Sequence, residues 1–306
     1  MMGSGVLSLD NVTKRFGAKT AVDDVTLELN AGERVALIGH NGAGKTTLFK
    51  MILGLEPASE GCITVLDDRP GSDHARESVA FLPENIAFHR TMTGREVLTL
   101  LARLKSVATG QVDKLLERVG LADAADQRIR TYSKGMRQRL GLAQALIGEP
   151  MLLLFDEPTS GLDPMLRQSF YAMVDELAAA GATVLLSSHL LTEVAERTDR
   201  IAIMREGRLV ALGPLVTLRQ EAALPLRIRL HVRDAERSRI ASALNGQQIN
   251  GQTVNLTVLM ADKMKTLTQI AAFGDAIEDV ELIQPNLDDL YVATVGAADS
   301  VDGSPT

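Results

Sequence analysis

The segment GHNGAGKTT at 39–47 restricts the fold of this chain more than any other stretch of its sequence. It follows the apolar run RVALIG at 34–39, which is typical of a buried strand. The residues after it, TTLFKMILGL, carry apolar side chains at helical spacing. A strand, a glycine-rich loop and a helix in this order predict a site for the phosphates of a nucleoside triphosphate.

The chemistry of a phosphate site explains the spacing within this loop. Glycines let the backbone curl so that its N–H groups surround a phosphate. Lys45 places a cation against the β- and γ-phosphates, and the hydroxyl of Thr46 can bind Mg²⁺. We expect the nucleotide to contact Gly39, Asn41, Gly42, Ala43, Gly44, Lys45, Thr46 and Thr47.

A second apolar run, MLLLFDE at 151–157, ends in two carboxylates. Asp156 at the end of this strand can reach the Mg²⁺ shell beside the phosphate loop. The adjacent Glu157 is then placed to orient or deprotonate an attacking water. Acids that merely begin a turn are the alternative for such a pair, and the upstream loop favours the catalytic interpretation.

The order of apolar patterns predicts an α/β protein. Strand-like runs at 78–83, 182–188 and 200–207 are separated by helical patterns, which indicates a largely parallel sheet covered on both faces. From about residue 93 to residue 147 the pattern is helical and more polar. We therefore expect a P-loop nucleoside triphosphatase domain over 1–216, with a mixed β-sheet core.

A second, smaller unit is predicted after residue 216. Leu226, Ile228, Leu230 and Val232 alternate with polar residues, as in a half-buried strand. Helical and strand patterns then alternate as far as a short helix at 287–294. We expect a small C-terminal α/β domain at 217–296 and a disordered tail at 297–306.

Composition narrows the possible partners. The net charge of −7 gives no support for binding to nucleic acid. No apolar run approaches the roughly 18–20 residues that cross a bilayer, and the single cysteine, Cys62, fits a reducing compartment. These features predict a cytosolic protein.

Six motifs occur in the order found in the ATP-binding cassette (ABC) ATPases, and over about residues 6–213 the chain resembles that family. GHNGAGKT resembles the Walker A loop, MLLLFDE the Walker B strand, SGLD at 160–163 the D-loop, and Ser188-His189 the switch histidine region. YSKGMRQR at 132–139 is similar to the signature sequence, and Phe16 stands where an aromatic residue usually stacks on adenine.

The resemblance implies a homodimer of two cassettes joined head to tail, with ATP and Mg²⁺ between them. Ser133, Lys134 and Gly135 of one chain would bind the γ-phosphate of the ATP held by the Walker A loop of the other. His189 would contact the γ-phosphate and position the water for Glu157. Lys45, Glu157 and His189 would be the catalytic residues, and Asp163 of the D-loop would lie at the site.

The sequence departs from the family pattern at several of these positions. Tyr132, Lys134 and Met136 stand where leucine, glycine and glutamine are usual in the signature. Lys134 could attract the phosphate or limit its approach. Glu84 replaces the usual glutamine of the Q-loop, and as a carboxylate it can bind Mg²⁺ together with Thr46 and Asp156, partly through water. Gly161 replaces alanine in the D-loop.

With one cassette and no membrane span, the chain resembles a transporter's ATPase subunit, whose permease is a separate transmembrane protein. This implies a peripheral position on the cytoplasmic face of the inner membrane. The stretch 84–147 resembles the helical subdomain that docks on the permease, and a periplasmic accessory protein would be a further partner. The signature, Glu84 and the C-terminal domain resemble ABC-2 exporters. More narrowly, the chain is similar to the ATPases of copper-processing transporters for nitrous oxide reductase maturation.

Other functions stay open at this point. The chain could serve a drug, lipid or polysaccharide exporter. A cassette ATPase acting on DNA or the ribosome is a different class, which the acidic charge and the lack of sustained heptads between Lys45 and Asp156 disfavour. The C-terminal domain could support the dimer or simply extend the fold.

Overall fold

The computed structural model describes residues 5–188, 194, 197–222, 224–249, 253–283, 285 and 289. The chain divides into two compact units, Met1–Leu212 and Gly213–Thr306. In the part of the chain that is described, no helix combines the length and apolar character needed to cross a membrane.

Among the described residues of the first unit, nine strands form two sheets. They are β1 (Leu7–Phe16), β2 (Lys19–Leu29), β3 (Arg34–Ile38), β4 (Glu60–Val65), β5 (Val79–Leu82), β6 (Leu152–Phe155), β7 (Thr183–Ser188), β8 (Arg200–Arg205) and β9 (Arg208–Gly213).

Six of these strands form one sheet in the spatial order β5-β6-β7-β3-β8-β9. The pairs β5–β6, β6–β7, β7–β3 and β3–β8 are all parallel. All four residues of β6 and all six of β7 are buried, so neither face of the sheet is open to solvent at these strands. This burial explains the continuous apolar runs at 151–156 and 182–188, and it confirms the predicted α/β class.

A second, three-stranded antiparallel sheet has the order β2-β1-β4. Its inner face packs in one buried cluster with α1 (Lys45–Ile52) and with apolar residues of the parallel sheet. The β-sheet core of the first unit therefore mixes parallel and antiparallel strands, as the predicted fold class requires.

The other α-helices in the described part of the first unit follow in chain order. They are α2 (Asp73–Ser78), α3 (Gly94–Leu104), α4 (Val112–Arg118), α5 (Lys134–Ala145) and α6 (Pro164–Ala179). Helices α3, α4 and α5 lie between β5 and β6 in the sequence, in the stretch that the sequence predicted to be helical. The start of α3 is fixed by a capping box in which Thr93 and Glu96 each bind the other's backbone N–H.

Tyr132 anchors the chain just before α5, at a position where the family resemblance leads us to expect leucine. The side chain is buried, and its hydroxyl donates to the carbonyl of Ala124 at 2.7 Å. A Cβ at Gly94 would lie 2.6 Å from the hydroxyl oxygen, so the glycine makes room for the larger ring. Burial raises the pKa of the Tyr132 phenol.

The second unit is a four-stranded antiparallel sheet with helices. Its elements are α7 (Leu215–Glu221), β10 (Leu226–Val232), α8 (Arg237–Ala243), β11 (Gln247–Ile249), β12 (Thr253–Val258), α9 (Lys263–Ala271) and β13 (Ile277–Ile283). The strands have the order β11-β12-β10-β13. The alternating apolar residues of β10 are buried and pack against Ile240 of α8 and Ile270 of α9.

Several elements differ from the pattern seen in the sequence. β4, β9 and β11 were not predicted, because short strands with polar or glycine residues lack a clear period. Apart from Asp289, the short helix predicted at 287–294 and all of the tail at 297–306 lie outside the described residues.

Candidate active site

The loop between β3 and α1 passes very close to its neighbours. Gly44 has φ of +105°, in the left-handed region that favours glycine, and a Cβ there would lie 2.5 Å from the carbonyl oxygen of Ala21. A Cβ at Gly39 would lie 2.5 Å from the carbonyl oxygen of Met204. Glycine is therefore required at both positions for the backbone to form this tight loop.

The lysine at the start of α1 points into the loop. Lys45 is only 7% exposed, and its Nζ donates to the carbonyl oxygen of Gly39. The same nitrogen lies 3.7 Å from Oε1 of Glu157. A buried cation is thereby held between the loop and a carboxylate, where an anion can approach both the lysine and the backbone N–H groups.

Asp156 follows directly after β6 and joins three elements. Its Oδ2 accepts a hydrogen bond from the hydroxyl of Thr46 at 2.9 Å, and its Oδ1 accepts one from the hydroxyl of Ser187 at 2.6 Å. The residue is 5% exposed. The Ser187 hydroxyl also accepts a hydrogen bond from the backbone N–H of Glu157 at 2.9 Å.

Glu157 has φ of +48°, which is uncommon for a residue other than glycine. Such a backbone costs energy and is maintained only where surrounding contacts fix it. Here the hydrogen bond to Ser187 and the ion pair with Lys45 hold the residue in place.

These groups surround one cavity of about 220 Å³. It is lined by Lys19, Ala21, His40, Asn41, Gly42, Ala43, Gly44, Lys45, Thr46, Thr47, Glu84, Asp156 and Glu157. Apart from Gly39, every loop residue expected to contact the nucleotide lines this cavity, together with Glu84 and the two carboxylates.

Four contributors to this region were not expected from the sequence. Lys19, Ala21 and His40 line the cavity, and Ser187 supports it from β7. Ser187 binds the carboxylate of Asp156 and is not one of the residues that line the cavity. It lies beside Asp156 because β6 pairs with β7. A serine at the end of a buried strand, directly before the Ser188-His189 pair, is the signal in the sequence that could have indicated it.

Phe16 and His189 were also predicted to be site residues. Phe16 is 47% exposed at the end of β1 and does not line the cavity, and the ammonium group of Lys14 lies 4.8 Å from its ring centre. His189 lies outside the described residues, although β7, which leads to it, is described.

The signature residues are not part of this cavity within one chain. Ser133 is the N-cap of α5, and its hydroxyl accepts a hydrogen bond from the N–H of Met136 at 3.2 Å. Neither Ser133 nor Lys134 nor Gly135 is among the cavity-lining residues. Asp163 of the D-loop likewise caps its own helix, α6, by accepting from the N–H of Leu166 at 3.0 Å.

A phosphate loop between a parallel strand and a helix, with a carboxylate pair at the end of a strand in the same sheet, defines a P-loop nucleoside triphosphatase. A family model described as ABC transporter matches residues 22–160. The chain is 35% identical over 314 residues to the daunorubicin resistance ATP-binding protein DrrA3 of Streptomyces coeruleorubidus, covering 96% of this chain and 97% of that protein.

A second relative and a solved structure agree with this match. The chain is 31% identical over 306 residues to the linearmycin resistance ATP-binding protein LnrL of Bacillus subtilis, covering 95% of this chain and 98% of that one. The solved structure of an ATP-binding subunit of an ABC transporter has a TM-score of 0.66 and 32% identity, over 71% of this chain and 92% of that chain. The chain belongs to the ABC transporter family, as an ATP-binding subunit that hydrolyses ATP.

Replacing Ser187 by alanine tests how this site is supported. The change leaves Asp156 without one donor and the N–H of Glu157 without its acceptor, so we expect Ser187→Ala to lower the free energy of unfolding by about 1–3 kcal/mol. Misplacement of the carboxylates should also lower kcat for ATP hydrolysis about tenfold. Urea denaturation and a steady-state ATPase assay measure the two effects.

Ser169→Ala is the matched control. The hydroxyl of Ser169 is exposed on α6 and donates to the carbonyl of Met165 in the same helix. We expect this variant to keep both stability and activity. Equal behaviour of the two variants would contradict a supporting role for Ser187.

Proposed function

We propose that this chain works as a head-to-tail homodimer that powers an ABC-2-type exporter with a separate transmembrane permease. The observation that carries the dimer is the separation of two half-sites within one chain. One half-site contains Lys45 and the carboxylates, while Ser133 and Gly135 lie outside that cavity. A second copy can bring its signature residues to the open side of the cavity.

Within the cavity, the N–H groups of the loop and Lys45 bind the β- and γ-phosphates of ATP. The oxygen ligands needed for Mg²⁺ are present, because the Thr46 hydroxyl and Asp156 carboxylate are 2.9 Å apart and Glu84 lines the same cavity. We propose these three residues as the Mg²⁺ ligands, partly through water. When bound, Mg²⁺ would neutralise part of the negative charge of the phosphates.

Hydrolysis is assigned to Glu157 as the group that orients or deprotonates the attacking water. Its side chain is anchored near Lys45, and its backbone is fixed by Ser187, so the carboxylate faces the phosphate end of the cavity. We retain His189 as the residue that positions the same water, on the family resemblance alone.

The partner chain supplies the other contacts to ATP. Ser133, Lys134 and Gly135 stand at the N-terminus of α5, which has 12 residues, and the unpaired N–H groups and the helix dipole there favour an anion. Phe16 is proposed to stack on adenine, because it is exposed at the end of β1 and lies three residues before Lys19, which lines the cavity. Support of this dimer is the role that we propose for the C-terminal unit.

We propose that the permease docks on the stretch 84–147, as the resemblance implies, and on a groove of the first unit whose lining ends at Phe81, three residues before that stretch. The volume of the groove is about 320 Å³, and it is lined by Ile52, Leu53, Leu55, Gly71, Ala75, Arg76, Val79 and Phe81. The occupant that we propose is a short cytoplasmic helix of the permease with an apolar face. The chain would then be a peripheral protein on the cytoplasmic face of the inner membrane.

The position of the groove supports this choice of occupant. Helix α1 begins in the ATP cavity at Lys45 and ends in the groove at Ile52. β5 runs through the groove at Phe81 and leads directly to Glu84 in the cavity. Two rigid elements thus connect the phosphate end of the cavity with the apolar groove.

The cargo class that we propose is a drug-like molecule. Two relatives that align with both units of this chain are named for resistance to daunorubicin and linearmycin, and another, from Rhizobium leguminosarum, is named for Nod factor export. Copper processing for nitrous oxide reductase maturation is the alternative suggested by the narrower resemblance. Because this subunit does not line the transport path, the permease that co-purifies with the chain decides between the two cargo classes.

The first test replaces Glu157 by glutamine. We expect Glu157→Gln to bind ATP as the native chain does, to reduce kcat by at least about 100-fold, and to accumulate as an ATP-bound dimer, since charge and general base are lost but shape is kept. Nucleotide binding, ATPase activity and size-exclusion chromatography with ATP provide the measurements.

Glu149→Gln is the control for this substitution. Glu149 also has a left-handed backbone, with φ of +51°, but it is exposed in the turn before β6. We expect Glu149→Gln to hydrolyse ATP at the native rate. Turnover close to normal in Glu157→Gln would remove Glu157 from the proposed role.

The second test blocks the contact between chains. Ser133→Arg places a large side chain at the N-cap of α5, where the partner's ATP is proposed to bind. We expect hydrolysis to be lost while each isolated chain still binds ATP, because the substituted residue lies outside the chain's own cavity. Ser106→Arg, at an exposed position after α3, is the control. Loss of ATP binding by isolated Ser133→Arg chains would contradict the head-to-tail arrangement.

The third test addresses the groove. Leu55 is 68% exposed, and Leu55→Arg places a charge on the apolar surface. We expect the variant to bind ATP normally but to recover no permease when it is purified from membranes, with the recovered proteins identified by mass spectrometry. Leu259→Arg, which changes a leucine that is 53% exposed in the second unit, should recover the permease as the native chain does. Recovery of the same permease by Leu55→Arg would exclude the groove as its docking site.

A further inference from the structure

Lys134 of the signature and Gly161 of the D-loop contact each other. Lys134 is the first residue of α5, and Gly161 lies in the segment between β6 and α6. A Cβ at Gly161 would lie 2.5 Å from Nζ of Lys134, 3.0 Å from its Cε and 3.1 Å from its Cδ. The end of the lysine side chain therefore occupies the space that an alanine methyl group would need.

Gly161 also has a backbone that suits glycine, with φ of +74°. A larger residue would be strained there and would displace the lysine as well. A methyl group at position 161 and the lysine side chain are therefore alternative occupants of one space.

Two further contacts join the same parts of the chain. The side-chain amide of Gln138 on α5 donates to the carbonyl oxygen of Pro158 at 2.8 Å, in buried surroundings. A Cβ at Gly135 would lie 3.0 Å from Cδ1 of Leu166, so the first turn of α5 packs directly on the start of α6. Together with the contact between Lys134 and Gly161, these contacts join α5 to the segment 158–166 at three points.

This segment begins one residue after Glu157, the proposed catalytic carboxylate. Because the backbone of Glu157 is left-handed and strained, its position depends on what holds the residues that follow it. Contacts from α5 fix these residues at Pro158 by a hydrogen bond and at Gly161 by the lysine.

We propose that Lys134 is a positioning residue. By lying across Gly161 of its own chain, it holds the D-loop against α5 and keeps Glu157 in its working orientation. This inference rests on the proposed role of Glu157 in hydrolysis. It assigns the lysine side chain a function within its own chain, while the proposed contact with the partner's phosphate is made by the backbone N–H groups at this helix N-terminus.

A double-mutant cycle tests the proposal, using the ATPase activity of the full chain. We expect Gly161→Ala and Lys134→Gly each to lower kcat about tenfold, with KM for ATP changed less than about twofold, because the loop and not the nucleotide contact is altered. The double variant restores a methyl group to the vacated space. We expect its kcat to return to within about threefold of the native value, since residues in contact show strongly non-additive effects.

Gly181→Ala is the matched control for backbone strain. Gly181 has φ of +99°, and a Cβ there would have no heavy atom within 4 Å. We expect Gly181→Ala to lower the melting temperature about as much as Gly161→Ala does but to leave kcat unchanged. Equal losses of kcat in the two variants would mean that strain alone explains the effect of Gly161→Ala.

The other outcomes also decide the question. Additive effects, or a double variant as slow as Lys134→Gly, would overturn the proposal and indicate that the lysine charge acts on the phosphate. Native activity in Gly161→Ala would overturn it as well. If Glu157→Gln stops turnover while the cycle is additive, only the role of Lys134 is wrong. If Glu157→Gln remains active, the proposed function itself is wrong.

Discussion

The hydrogen bond between the Thr46 hydroxyl and the Asp156 carboxylate is the contact on which the site depends. It joins residues 110 positions apart and connects the first turn of α1 with the end of β6. Ser187 on the intervening strand β7 binds the other oxygen of the same carboxylate. The carboxylate is buried and is satisfied from both sides, so its orientation is fixed before any nucleotide arrives.

Much of this arrangement could be predicted from the sequence, because its strongest signals are local. The phosphate loop requires glycines at fixed spacing and a strand and a helix on either side, and all of these are visible in GHNGAGKTT and its neighbours. The acidic pair at the end of β6 is equally local. The continuous apolar runs indicated a sheet that is buried on both faces, and the structure confirms it.

The features that escaped prediction arise from contacts between distant segments. Ser187 gains its importance only because β6 and β7 are neighbours in register. The contact between Lys134 and Gly161 depends on how α5 lies against the D-loop, which no periodicity reveals. Tyr132 could be noted as an unusual residue, but the space that Gly94 leaves for its ring is a property of the folded chain. Single-sequence patterns describe faces and periods, whereas these residues depend on packing partners.

The length of α1 has a mechanical consequence. Its eight residues span about 12 Å, so the phosphate loop and the apolar groove are separated by little more than two helical turns. A short, buried helix is stiff, so a displacement of one end moves the other end by nearly the same distance. A small shift of the loop when a phosphate leaves can thus be transmitted to the groove by movement of one rigid rod, without rearranging the sheet beneath it.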